Sequence, residues 1–151
     1  MEDPKESHGI AIKNIGRYLL ATHEQGMYFH PNKESFECYM DADYCGNWDK
    51  SIAADDPDTA RSRHGFIVKY AGVPIYWASK LQTQIALSTA EAKYIGLSIA
   101  ARYAKGTMCL FDEINQKVVK VITTPMVYCR LFEDNSAALE IAKVPKVQPR
   151  T

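Results

Sequence analysis

Four carboxylates stand out by type and spacing. Asp41 and Asp43 lie two residues apart in FECYMDADYCG (36–46), Glu91 is the single acid of residues 61–111, and Asp134 follows the strand-like run YCRLF. Asp is a poor strand former, so two on one strand face need a reason. Such a pair repels unless a cation or a proton relieves it. Carboxylates bind Mg²⁺ through few ligands, with water and substrate phosphate completing the octahedron. Two such ions about 4 Å apart can hydrolyse a phosphodiester, one activating water and the other stabilising the leaving oxygen.

Each acid also has an ordinary reading. Asp41 and Asp43 could simply mark a strand running into a loop. Ser88-Thr89-Ala90-Glu91 has the form of a capping box, with Ser88 as N-cap and Glu91 three residues on. A carboxylate that serves a backbone amide does not easily serve a metal as well. Asp134 precedes Asn135-Ser136, and turn or cap chemistry would account for it. Convergence of a strand, a helix start and a second strand end is what would turn three ordinary acids into a site, because strand ends in such sheets are where ligands bind.

The elements needed for that convergence are legible. HGIAIKNIGRYLLA (8–21) spaces Ile12, Ile15, Leu19 and Leu20 as a helix does, and Gly26 marks its stop. From Phe36 to Tyr44, alternation puts Phe36, Cys38, Met40, Ala42 and Tyr44 on an apolar face and Glu37, Tyr39, Asp41 and Asp43 on the other. Residues 45–62 read as a polar loop. HGFIVKYAG and VPIYWASK predict a hairpin with a Gly-containing turn. LSTAEAKYIGLSIAARYAKG predicts a helix with Ala90, Tyr94, Leu97 and Ala101 on one face, ending at Gly106 or continuing through TMCLFDEINQK. TPMVYCRLF, opened by Pro125, predicts a strand, and NSAALEIAKV a short helix closed before Pro145. The expected class is mixed α/β, a mixed sheet with helices packed on it.

The 151 residues suit about one domain, and 46% hydrophobic content supplies a core. No apolar run approaches the roughly 18 residues of a membrane span. MEDPKESHG lacks the basic-then-apolar pattern of a signal peptide. Cys38, Cys45, Cys109 and Cys129 form no CxxC pair and have no His spaced as in a zinc site, so they read as thiols of an intracellular protein. The 18 basic and 18 acidic residues balance, but unevenly along the chain. Residues 1–60 carry five Lys/Arg against twelve Asp/Glu, and residues 61–111 carry seven against one. A basic stretch beside an acidic one suits a surface that meets phosphate on one side and cations on the other.

YMDADYCGNWD, TARSRHGFIVKYAGVPIYWASKLQTQIALSTAEAKYIGLSIA and CRLFEDNSAALEIAK together resemble the ribonuclease H domain of copia-type retrotransposon polyproteins. HGIAIKNIGRYLLATHEQGMYF resembles the connecting segment that follows the reverse transcriptase in them. The resemblance implies two parts, residues 1–35 as the tail of that segment and residues 36–151 as a ribonuclease H-like domain. It implies a mixed five-stranded sheet with helices on both sides. The implied activity is metal-dependent cleavage of the RNA strand of an RNA–DNA hybrid, with two Mg²⁺ ions (or Mn²⁺) in the complete site. Asp41, Glu91 and Asp134 would be the catalytic, metal-binding carboxylates, while Asp43 tunes Asp41 or faces the loop. Arg61, Arg63, Lys69, Lys80 and Lys93 would contact backbone phosphates, since hybrids are recognised by shape and 2′-hydroxyls. Trp48 and Trp77 are expected to pack rather than to stack on bases.

The implied partners are the hybrid and the rest of the polyprotein, without a membrane, and the implied location is the cytoplasm, inside a virus-like particle. One departure weighs against full activity. The family's fourth acid, expected after a PRT motif at the start of a last helix, is absent from a chain that ends Gln148-Pro149-Arg150-Thr151, and so is that helix. A smaller departure is Lys93, which stands where relatives commonly carry an acid and is expected to be exposed and to add to the basic stretch. The competing readings are an impaired nuclease, a catalytically inactive nucleic-acid-binding remnant, and an inert relic of the fold.

Overall fold

The computed structural model describes residues 5–32, 35–119 and 128–144. Helix α1 spans Glu6–Thr22, strand β1 Phe36–Ala42, β2 Arg63–Tyr70 and β3 Val73–Leu81. Helix α2 runs Thr89–Ile114, followed by strand β4 at Cys129–Phe132 and helix α3 at Ser136–Lys143. This is the expected order. Among the described residues the sheet has four strands in the order β3-β2-β1-β4, with β1 antiparallel to β2 and parallel to β4. The class is mixed α/β. Pro125 and Pro145 lie outside the described residues.

Alternation builds β1 as expected. Phe36, Cys38, Met40 and Ala42 are buried, while Tyr39 and Asp41 are exposed. The strand ends at Ala42, so Tyr44 falls in the following loop and is exposed. The β2–β3 hairpin turns at Ala71-Gly72, both at positive φ (50° and 81°). Glycine suits the second position for its φ, and a Cβ on Gly72 would also press on the Asn32 side-chain amide at 2.8 Å.

Helix α2 supplies the other half of the core, and its buried face differs from the expected one. Ala92, Lys93, Gly96, Leu97, Ala100 and Ala104 are buried, whereas Tyr94 is exposed. The helix continues past Gly106 to Ile114. Its sheet-facing side is built of small residues, so the helix lies close to β1. A Cβ on Gly96 would sit 2.5 Å from Met40 Cε and 3.4 Å from Ala42 Cβ and His64 Cβ. Bulkier packing lies further along, where Phe36 meets Phe111 edge-on at 4.8 Å between ring centroids. Helix α1 forms where its spacing predicts, but buries none of its side chains among the described residues.

Candidate functional site

Parallel pairing of β1 with β4 aligns two of the expected acids. Tyr39 is opposite Phe132, so Asp41 and Asp134, each two residues further on, leave neighbouring strands at the same level. Neighbouring strands lie about 4.8 Å apart, which keeps the two carboxylates within reach of one cation. The residue that reaches both is Lys93.

Lys93 was expected on the surface and is instead buried, with a side chain 11% exposed. Its ammonium donates to Asp41 Oδ1 at 2.8 Å and to Asp134 Oδ1, and pairs with Glu133 Oε1 at 3.4 Å. The reason is its position on α2. Lys93 shares a helix face with Ala92, Gly96, Leu97 and Ala100, and the close approach at Gly96 brings its stem to the strand ends. A buried ammonium is tolerated only when paired and hydrogen-bonded. Burial pulls the Lys93 pKa down, but hydrogen bonds to Asp134 and Asp41, with the nearby Glu133, outweigh it and leave it raised.

Glu133 was not singled out in the sequence, yet its side chain is completely covered. Its Oε1 accepts the Asn135 N–H at 3.1 Å, and its Oε2 is buried without a partner. Burial pushes its carboxyl up, against the pull of the Asn135 N–H, and sharing with Asp134 adds to the rise. Asp134, largely exposed, is lowered first by the Lys93 hydrogen bond and then by Glu133. The only sequence signal for Glu133 is its place beside Asp134 after an apolar strand.

Glu91 takes its ordinary role. Ser88 Oγ accepts the Glu91 N–H at 3.1 Å, and Glu91 Oε2 accepts the Leu87 N–H at 2.8 Å. Residues two apart on a helix do not face each other. Lys93, two residues further along α2, is the side chain that reaches Asp41 and Asp134. Gln82, itself buried, fixes this first turn by donating from Nε2 to Ala92 O at 2.8 Å. Asp43 ties the end of β1 to the start of β2: its Oδ1 accepts the Arg63 N–H at 2.5 Å.

The expected phosphate-binding residues do not share one surface. Arg63 and Lys69 alternate with buried His64, Phe66 and Val68 on β2 and so lie on the sheet face away from α2, as Asp41 does on β1. Lys69 sits 5.4 Å from the Tyr39 ring centroid. Lys80 pairs with His64 in the β2–β3 register and joins it, with Arg102 and Tyr103, around a cavity on the helix side. Arg61 is engaged by Asp58 at 2.9 Å. Trp48 and Trp77, expected to pack, are exposed.

These residues do not fit the implied divalent cation. Lys93 already places a positive charge between Asp41 and Asp134. A divalent ion about 4 Å from that ammonium would meet repulsion on the order of 8 kcal/mol at an effective dielectric constant near 20. Among the described residues, no three His, Cys, Asp or Glu side chains are grouped to hold a metal ion.

No family model matches the chain. It is 31% identical over its full length to the retrovirus-related Pol polyprotein from transposon TNT 1-94 of Nicotiana tabacum, of which it covers 10%. It is 30% identical to the corresponding polyprotein from transposon RE1 of Arabidopsis thaliana, over 99% of this chain and 9% of that one. The chain is similar throughout to a segment of transposon Pol polyproteins. This Pol-like segment spans about a tenth of the length of these curated relatives. It is also 34% identical, over 68% of its length and 66% of the relative's, to secreted RxLR effector protein 161 of Plasmopara viticola. No helix among the described residues is long and apolar enough to cross a membrane.

Proposed function

We propose that this chain is a ribonuclease H-like segment of a retrotransposon Pol polyprotein that engages an RNA–DNA hybrid without hydrolysing it. The motifs WASKLQTQIALSTAEAKY and FEDNSAAL, the mixed sheet and the whole-length similarity to Pol polyproteins support the placement. The observation that carries the loss of hydrolysis is the Lys93 ammonium between Asp41 and Asp134. Two-metal hydrolysis needs those carboxylates for cations that touch the attacking and leaving oxygens. A lysine ammonium neutralises the charge but activates no water.

Binding rests on the sheet face that carries Asp41. A shallow groove there is lined by Tyr39, Asp41, Asp43, Arg63, Ile67 and Ser79. Arg63 and Lys69 supply cations on this face for backbone phosphates, which fix register without reading sequence. The remainder of a Pol polyprotein, including its reverse transcriptase, is the proposed neighbour.

A gel assay with labelled RNA in a hybrid tests both parts. Expected are a shifted complex that weakens with salt and with Arg63→Ala and Lys69→Ala, and uncut RNA in Mg²⁺ or Mn²⁺. RNA cleavage that requires Mg²⁺ and disappears in Asp41→Asn would restore the nuclease reading. Absence of any shift would leave only the relic.

A further inference from the structure

We infer that Lys93 is the resident cation of the strand-end site, holding Asp41, Glu133 and Asp134 in place of a divalent metal and making the fold independent of one. The inference deepens the reading above because it concerns the same carboxylates. Its test uses no nucleic acid, so the two can fail separately.

Stoichiometry supports it. A lysine ammonium has three protons and accepts none. Three carboxylates surround it, two at hydrogen-bond distance and Glu133 Oε1 at 3.4 Å. Every donor thus has an acid to face, and the cluster needs no further cation.

Construction supports it as well. A metal must be recruited from solution, whereas this cation is tethered by its stem to a helix packed on the sheet. The stem runs along the buried face of α2, and Gly96 sets how near that face lies to Met40 and Ala42. Displacing the ammonium would leave it without partners beneath α2, since the side chain is only 11% exposed. A millimolar divalent ion therefore competes poorly. The three acids come from two strand ends, and the lysine ties both ends to α2, a pinning role that a metal would otherwise serve.

Titration of Mn²⁺ into the parent chain and into Lys93→Gln, followed by calorimetry and thermal unfolding, tests this directly. The parent is expected to show no binding at millimolar Mn²⁺ and no change in Tm. Lys93→Gln, with its acids uncompensated, is expected to bind Mn²⁺ at least tenfold more tightly and to gain a Tm that rises with Mn²⁺. Adding Asp41→Asn to Lys93→Gln should erase that gain. Equal Mn²⁺ affinity in parent and variant overturns the inference, as does a folded Lys93→Gln that gains none. Should Lys93→Gln not fold, the parent alone decides. Mn²⁺ should leave the Asp41 and Asp134 amide signals sharp in an NMR spectrum, and selective broadening of those two would overturn the inference.

Discussion

The Lys93 side chain is 11% exposed, while those of Asp41 and Asp134 are 79% and 80% exposed. Water therefore screens one end of each pair. Exposed ion pairs contribute about 0–1 kcal/mol, and breaking a buried one costs about 3–5 kcal/mol. Lys93→Gln should lie between them, destabilising the chain by about 1–2 kcal/mol at neutral pH. The pH dependence follows from the signs. Asp134 is lowered by Lys93, so its contribution is present above the ordinary Asp pKa of about 3.9 and is lost as pH falls through the lower folded value. Lys93 is raised, so its contribution is fully present below the ordinary Lys pKa of about 10.4 and is lost as pH rises from there through the higher folded value. Urea unfolding of parent and Lys93→Gln should show a gap that is full at neutral pH and closes in acid, first as Glu133, whose carboxyl is raised, takes up its proton and then as Asp134 does. A gap independent of pH would mean that Lys93 acts through packing alone. Asp41 was legible in the sequence because paired Asp residues on one strand face are unfavourable, and Asp134 because it lies in the FEDNSAAL motif after an apolar strand. Lys93 was not, since a lysine in a helix reads as solvated until its tertiary partners are known. Glu91 was read both ways, and its geometry is that of the cap.

Element order was legible because period-two and helical patterns are local properties of the chain. The buried face of α2 was not, because large apolar residues are the usual mark of a core face and this contact is made mostly by small ones. Tyr94 lies outside the contact, Leu97 lies within it, and Gly96, Ala100 and Ala104 make the close approach. Gly96 tests this. A Cβ there would press on Met40 Cε at 2.5 Å, a flexible end that can yield, and on Ala42 and His64 Cβ atoms at 3.4 Å, which are less free to move. Gly96→Leu should lift α2 from β1 and cost about 1–3 kcal/mol by overpacking. It should also draw Lys93 from the strand ends, seen as a smaller stability loss on Lys93→Gln in that background than in the parent. Additive losses would show that helix approach and the lysine tether are independent.

Over the whole molecule, the basic stretch of residues 61–111 suggested one phosphate-facing surface. Folding divides it. Arg63 and Lys69 go to the face with Asp41, Lys80 and Arg102 border the helix-side cavity, and Lys93 goes to the acids. Sequence proximity fixed the count of charges and left their faces to the β register. The consequence is a Pol-like segment whose acidic strand ends are neutralised from within. NMR of the lysine side-chain ammonium groups near neutral pH tests this most directly. One Nζ signal should exchange slowly with water, vanish in Lys93→Gln, and stay unmoved in millimolar Mg²⁺. A Lys93 ammonium that exchanges as fast as the surface lysines, or that shifts on adding Mg²⁺, would contradict the account.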